Sequence, residues 1–377
     1  MLILTAGFGE GHNAAAKGIH RALELEAPDC EVKLLDPLDE GRPRVNSLAK
    51  KLYLLTIHRT PRLWKQLYSI SDRTSDVSRD PLFVLRKPKK LIEKTIREFH
   101  PDIVICTYPL YPHMLRRSRL YKDGCRKNKF QLITVVTDSG TINSVWHRAA
   151  ADAFLVTDVL TAEKFHEAEV PTEKVHPFGF PVHPEFTNEL DEHRTEQDEN
   201  PAPFRIALFP TGAKNHARVL VEQLAQIPAG IDWRATVVLG KHDSTLRPMV
   251  EAIIASQGTG PRVDLLGWTD QVPKILATHH LLCAKAGGAT VHEARAAACP
   301  MVIHYIVPGQ EEGNAVLLES EGGGATLSSQ DQLAEYITNL CSNNFARWRT
   351  QRKVMKRVAT PHAAREIAQW LITQRNA

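Results

Sequence analysis

The chain has 377 residues, of which 43% are hydrophobic and 24% charged. It has no apolar run near the roughly 20 residues of a membrane-spanning helix, which excludes an integral membrane protein. At ~100–200 residues per domain the length predicts two domains, each able to bury its own core. The net charge of +4 hides three blocks: residues 1–40 carry −5, residues 41–130 carry +15 and residues 131–377 carry −6. One strongly basic segment therefore calls for an anionic partner.

Met1-Leu2-Ile3-Leu4-Thr5-Ala6 lacks the basic start and long apolar stretch of a signal peptide and reads as a first strand, which predicts a cytoplasmic protein. A helix over 13–26 follows, then a strand over 31–35 that ends at Asp36. Short apolar runs at 102–106, 131–136 and 153–156 alternate with helix-like stretches, the pattern of a parallel α/β sheet. Residues 183–203 turn acidic, Asn- and Pro-containing, and read as a linker. The alternation then restarts, with strands at 205–209, 235–239, 263–265, 281–284 and 301–306. The expected organisation is a domain over 1–182, a linker over 183–203 and a second domain over 204–377 whose last helix packs back on the first. The six cysteines (Cys30, Cys106, Cys125, Cys283, Cys299, Cys341) form no close pair, so free thiols are expected rather than disulfides or a zinc site.

The first strand runs into Gly7-Phe8-Gly9-Glu10-Gly11-His12. Glycines let backbone approach a ligand, and the next helix offers unpaired N–H groups. A dinucleotide-binding reading would use Asp36 as the ribose acid, but the spacing is G-x-G-x-G, not G-x-G-x-x-G. His12 sits at the helix start, where a neutral imidazole is favoured; its bland role is a surface helix cap. The second cluster is Ala284-Lys285-Ala286-Gly287-Gly288-Ala289-Thr290-Val291-His292-Glu293. Its small residues admit a diphosphate to the helix N-terminus, Thr290 adds a hydroxyl, and Glu293 lies one turn in, where it can accept from ribose hydroxyls. Pro308-Gly309-Gln310-Glu311-Glu312-Gly313-Asn314 then places an amide and a carboxylate side by side, as sugar hydroxyls require. Without a ligand this is a Pro-Gly turn with an acidic tip.

Together these runs resemble the donor signature of glycosyltransferase family 28. Residues 5–16, Thr134-Val135-Val136-Thr137-Asp138, Trp146-His147 and Leu266-Gly267-Trp268-Thr269 are similar to its monogalactosyldiacylglycerol synthase and processive diacylglycerol glucosyltransferase group. The resemblance spans nearly the whole chain and departs from the group at Glu10 and at Gly287-Gly288-Ala289. It implies a GT-B fold of two Rossmann-like α/β domains facing across a cleft, the first for the acceptor and the second for a UDP-hexose. Carried over, Gly287, Gly288, Ala289 and Thr290 approach the diphosphate and Glu293 the ribose. Gln310 and Glu311 would read the sugar, Thr211-Gly212 form a phosphate-facing turn, and the backbone at Trp268 lie by the uracil. His12 is the first candidate base and Asp138 the second, while Gly9, Gly11 and Trp146 fall to the acceptor side. No Asp-x-Asp motif is present, so no metal or other cofactor is expected.

The basic segment carries Lys50-Lys51, Arg86-Lys87-Pro88-Lys89-Lys90 and Arg116-Arg117-Ser118-Arg119, with Trp64 and Tyr68 one helical turn apart. Aromatics among cations suit anionic lipid head groups. No nucleic-acid motif accompanies the charge, and a solvated basic face with Trp64 in the core is the plain alternative. The expected activity is inverting transfer of glucose or galactose from the UDP-sugar to diacylglycerol, at the inner face of the cell membrane. The alternatives are an N-acetylglucosaminyltransferase acting on a polyprenyl-linked peptidoglycan precursor, a nucleotide-sugar epimerase, or a non-catalytic lipid- or nucleotide-binding module. The sequence carries no signal for oligomeric state.

Overall fold

The computed structural model describes residues 1–7, 10–41, 85–118, 120–122, 125–126, 130–140, 142–149, 151–192, 201–309 and 311–376. The chain divides into two compact units. The first is Met1–Pro184 with Val307–Asn314 and His362–Ala377; the second is Glu185–Ile306 with Ala315–Pro361.

The first unit holds β1 (Leu2–Leu4), β2 (Lys33–Leu35), β3 (Ile103–Cys106), a two-residue hairpin of β4 (Tyr121–Lys122) and β5 (Cys125–Arg126), β6 (Gln131–Val135), β7 (Ala153–Leu155) and β8 (Val175–His176). Its main sheet is parallel, in the order β2-β1-β3-β6-β7-β8. A parallel sheet is covered on both faces, so its strands read as unbroken apolar runs. Leu2, Leu4, Val104 and Cys106 face Ile92, Ile96 and Leu115, while Ile3, Ile103 and Ile105 face Ile19, Leu23, Ile367 and Leu371. The helix Glu10–Glu26 earns its place on that second face by burying Ala15, Ala16, Ile19, Ala22 and Leu23 at helical spacing. It also buries Gly18, whose missing side chain lets the Pro181 carbonyl approach: a Cβ there would stand 2.0 Å from that oxygen. The C-terminal helix Ala363–Asn376 packs beside it.

The second unit holds β9 (Phe204–Leu208), β10 (Trp233–Val238), β11 (Val263–Leu266), β12 (Leu281–Lys285), β13 (Met301–Tyr305) and β14 (Gly324–Thr326). This sheet is also parallel, in the order β11-β10-β9-β12-β13-β14. Phe204, Ile206 and Leu208 bury against Leu220, Leu224, Ile337 and Trp348.

The structure departs from the sequence reading in several elements. The acidic stretch opens on a helix, Glu185–Glu192, with Phe186 and Thr187 buried, and this helix packs against Val272–Thr278 and Gly288–Ala296. The edge strands β8 and β14 are new, being too short and too little apolar to stand out. The first helix begins at Glu10, so Gly11 and His12 lie in its first turn, not in a loop; an acidic Glu10 favours that end of the helix dipole.

Candidate active site

In open parallel sheets ligands bind beyond the carboxyl ends of the strands, where the strand order reverses. In the first unit that point lies between β1 and β3, and in the second between β9 and β12. The loops leaving those four strands carry most of the residues singled out from the sequence.

After β1 comes His12, which is 8% exposed. Its Nδ1 lies 2.9 Å from the Thr137 hydroxyl, in the loop after β6. Tyr108, just past β3, sits edge-on to the imidazole at 5.1 Å, and Trp146 lies at 6.0 Å. Burial pushes the His12 pKa down to about 4, opposed more weakly by a hydrogen bond to the Thr107 backbone. The ring is therefore neutral at physiological pH. With the proton on Nδ1, Nε2 keeps the lone pair a general base uses.

Asp36 does not serve a ribose. One carboxylate oxygen accepts from Gly7 N and the other from Leu38 N and Asp39 N, so it fastens the loop after β1 and caps a short helix. That removes the acid on which the dinucleotide reading relied.

Asp138 follows Thr137. Burial lifts its pKa to about 6; the Trp146 N–H bond opposes this and the charge of Glu311 adds to it. Trp146 Nε1 donates to Asp138 Oδ2 at 2.8 Å. Trp146 is 1% exposed, so the expectation that it meets acceptor or membrane is corrected: it is a buried prop beneath Asp138. Hydroxyls hold the same loop from behind. Thr157 Oγ1 lies 2.9 Å from Ser139 Oγ, and Thr161 Oγ1 accepts from Gly140 N at 3.0 Å.

Glu311 is 6% exposed. Its Oε2 accepts from Val307 N at 3.1 Å, and its own N–H donates to the Val307 carbonyl at 3.0 Å. These bonds close the Pro308-Gly309 turn, whose second residue has φ +82° and so favours glycine. One oxygen of the expected sugar-reading carboxylate is thus spent on its own turn. Gly140 approaches this segment closely, since a Cβ there would stand 3.3 Å from Gly313 O. Two acids 173 positions apart, Asp138 and Glu311, are therefore electrostatic neighbours within one unit.

In the second unit the helix Gly288–Ala296 begins directly after β12, with Gly287 as an N-cap that has no side chain to bond the first turn. The N–H groups of Gly288, Ala289 and Thr290 lack intrahelical acceptors by geometry. Lys285 Nζ and Thr290 Oγ1 converge over Gly287, 3.1 and 3.5 Å from where its Cβ would be. Ammonium, hydroxyl and helix N-terminus together form an anion cradle. Lys285 was missed in the sequence reading; its signal is its position as the last residue of a buried strand, immediately before the small-residue turn. Glu293, one turn further, has its pKa lifted to about 8 by burial alone. Thr211 and Gly212 lie beyond β9, and Trp268, beyond β11, is 69% exposed. Gly9, Gln310, Trp64 and Tyr68 lie outside the described residues. Among the described residues no helix is long and apolar enough to cross a membrane.

Residues 12–182 match the family model for monogalactosyldiacylglycerol (MGDG) synthase. The processive diacylglycerol beta-glucosyltransferase of Bacillus licheniformis is 24% identical over 345 residues, covering 91% of this chain and 87% of the relative. Its namesake in Bacillus subtilis is 24% identical over 358 residues, covering 94% and 90%. Among solved structures, Anabaena HepE in complex with UDP-glucose superposes with a TM-score of 0.55 at 14% identity, covering 99% of each chain. Acinetobacter baumannii MurG gives 0.60 at 14%, again covering 99% of each. The UDP-GlcNAc 2-epimerase of Neisseria meningitidis gives 0.62 at 13%, covering 99% and 100%. The two Rossmann-like units of this chain are of the GT-B type, and the chain is similar to the monogalactosyldiacylglycerol synthase and processive diacylglycerol glucosyltransferase group of glycosyltransferase family 28.

Proposed function

We propose that this chain is an inverting glycosyltransferase that moves a hexose, glucose or galactose, from a UDP-sugar to the hydroxyl of diacylglycerol. The observation that carries the donor half is the cradle at Gly287, where Lys285, Thr290 and an uncapped helix N-terminus converge on one anion-sized space. The names of the relatives, diacylglycerol glucosyltransferases over nearly the full chain, support the acceptor half.

In this reading His12 Nε2 takes the proton of the acceptor hydroxyl, with Asp138 as the second candidate. The oxygen attacks the anomeric carbon as the bond to the diphosphate oxygen breaks on the opposite face. One displacement inverts that carbon. The leaving UDP gathers negative charge, which the helix N-terminus and Lys285 stabilise. Glu293 accepts from the ribose, Trp268 lies by the uracil, and Gln310 and Glu311 read the sugar.

The protein acts on the cytoplasmic face of the membrane as a peripheral enzyme that docks through its basic segment. Within the described part of that segment, Arg86, Lys87, Lys90, Lys94 and Arg97 are exposed on the helix Arg86–Phe99, whose other face buries Pro88, Ile92 and Ile96. Lys89 Nζ donates to the Arg117 carbonyl, which ties that helix to a second exposed basic pair, Arg116 and Arg117.

The test is to incubate the protein with diacylglycerol vesicles and UDP-glucose, UDP-galactose or UDP-N-acetylglucosamine, each with and without anionic lipid. A β-linked hexosyl lipid is expected from an α-linked donor. No glycolipid in any combination overturns the proposal.

A further inference from the structure

The loops at the carboxyl edge of the second sheet follow the lateral order of their strands, β11, β10, β9, β12. Trp268 lies beyond the first, Thr211 and Gly212 beyond the third, and the cradle beyond the fourth. The loop beyond β10, Gly240-Lys241-His242-Asp243, has no part in the donor reading so far, yet it lies between the nucleobase end and the phosphate end of that row. Strands stand ~4.8 Å apart, so the row from β11 to β12 spans about three such spacings, the reach of an extended nucleoside diphosphate.

The imidazole of His242 lies over Gly212. A Cβ built on Gly212 would stand 2.5 Å from Cε1, 2.7 Å from Nδ1 and 2.8 Å from Nε2. Near-equal distances to three ring atoms mean that the ring covers the space a side chain would fill. The backbone of Gly212 has no left-handed torsion that would require glycine, so glycine is there to admit the ring. Beside it the Thr211 hydroxyl is buried and has no hydrogen-bond partner. The next residue, Asp243, ties the loop to the other neighbour. It bridges Arg247 at 2.8 Å, and its carboxyl carbon lies 3.1 Å from where a Cβ of Gly267 would be. His242 itself is exposed and within reach of a ligand.

We propose that His242 is a donor-binding residue: its ring N–H donates to a phosphate oxygen of a nucleoside diphosphate seated on the Thr211-Gly212 turn, where the Thr211 hydroxyl gains the partner it lacks. This rests on the reading of the second unit as the UDP-sugar unit and adds a contact from a fourth strand to it. An imidazole suits the position because it donates to an anion in either neutral tautomer and as the cation.

Calorimetry of the full-length protein with UDP and with uridine tests this. Replacing one hydrogen bond to a charged oxygen costs about a factor of ten in affinity. H242A is expected to bind UDP about tenfold more weakly, with uridine affinity unchanged, whereas H242N, which keeps a donor, retains most of the UDP affinity. G212A, which drives the ring from its place, reproduces the H242A loss and adds little to it in the double variant. Unchanged UDP affinity in H242A overturns the assignment, and so does an equal loss for UDP and uridine. UDP binding that K285A abolishes and H242A leaves intact removes this residue alone; a wild-type protein that binds no UDP removes the donor reading and this contact with it.

Discussion

His12 and Asp138 compete for one role, and their environments separate them. Burial keeps His12 neutral down to about pH 4, whereas Asp138 titrates near 6 because it is desolvated and stands close to Glu311. A base must be unprotonated to act, so kcat/KM falls on the acid side at the pKa of whichever group does the work. With His12 as base, kcat/KM is flat from pH 7 down to 5. With Asp138 as base it halves near pH 6, and a W146F variant, which removes the opposing hydrogen bond, moves that midpoint up. The expected result is the flat profile, together with a loss of 10²–10⁴-fold in kcat for H12Q and unchanged affinity for UDP. Near-normal turnover by H12Q, or a limb near 6, transfers the role to Asp138. The sequence pointed to both residues, but not to the Thr137 hydroxyl that orients His12 from 125 positions away or to Trp146 as a prop. The first of those contacts depends on β1 and β6 flanking β3, which no local pattern states.

At the scale of elements, strands buried on both faces were legible because they must be apolar throughout, as at Leu2–Leu4 and Ile103–Cys106. The helix Glu185–Glu192 was hidden because its charge matched a linker, and the buried Phe186 and Thr187 mark its inner side. The glycine turns were visible as composition, but what covers Gly212 was not: His242 reaches it from the neighbouring strand's loop, a matter of strand order. The helix Arg86–Phe99 poses a different question. It opens on Arg86-Lys87-Pro88-Lys89-Lys90 with no acid in its first turn, although cations at a helix N-terminus oppose its dipole. Folding alone does not favour such a start, and an anionic surface does. Further along, Lys94 pairs with Glu98 at 3.8 Å and Arg97 with Glu93 at 3.9 Å, so the excess charge gathers at the first turns. The double variant K87E/K90E is therefore expected to weaken flotation with vesicles containing anionic lipid severalfold while its thermal midpoint stays level or rises. Loss of binding with a lowered midpoint would mean that the charges serve the fold, and unchanged flotation would remove this helix from the docking surface.

Both units repeat one plan, a parallel sheet whose strand order reverses beside its first strand. Each buries ionisable groups against a dry sheet, and stability inherits a pH dependence from them. Burial lowers His12, His279 and His304 to about 4 and His280 to about 3, and pushes His292 well down. An unfolded histidine titrates near 6.5, so between there and 4 the unfolded chain binds protons that the folded chain refuses. Their contribution is fully present above about pH 6.5 and drains away as the pH falls. Asp138, at about 6, and Glu293, at about 8, run the other way: each holds a proton in the folded state that the unfolded chain releases, so stability declines as the pH rises through those ranges. Five histidines against two acids, Asp138 and Glu293, give a net loss on the acid side. Above 6.5 only Glu293 among these groups still titrates, and the decline toward pH 8 is shallow. The thermal midpoint is thus expected to peak at about pH 6.5, to fall steeply by pH 5, and to fall gently by pH 8. E293Q, uncharged at every pH, should flatten the alkaline branch and steepen the acid branch above about pH 4.5, where Glu293 offsets part of the histidine loss. A midpoint that rises between pH 6.5 and 5 would show that the histidines are not held neutral, and an alkaline branch that survives E293Q would show that its carboxyl is ionised from the start.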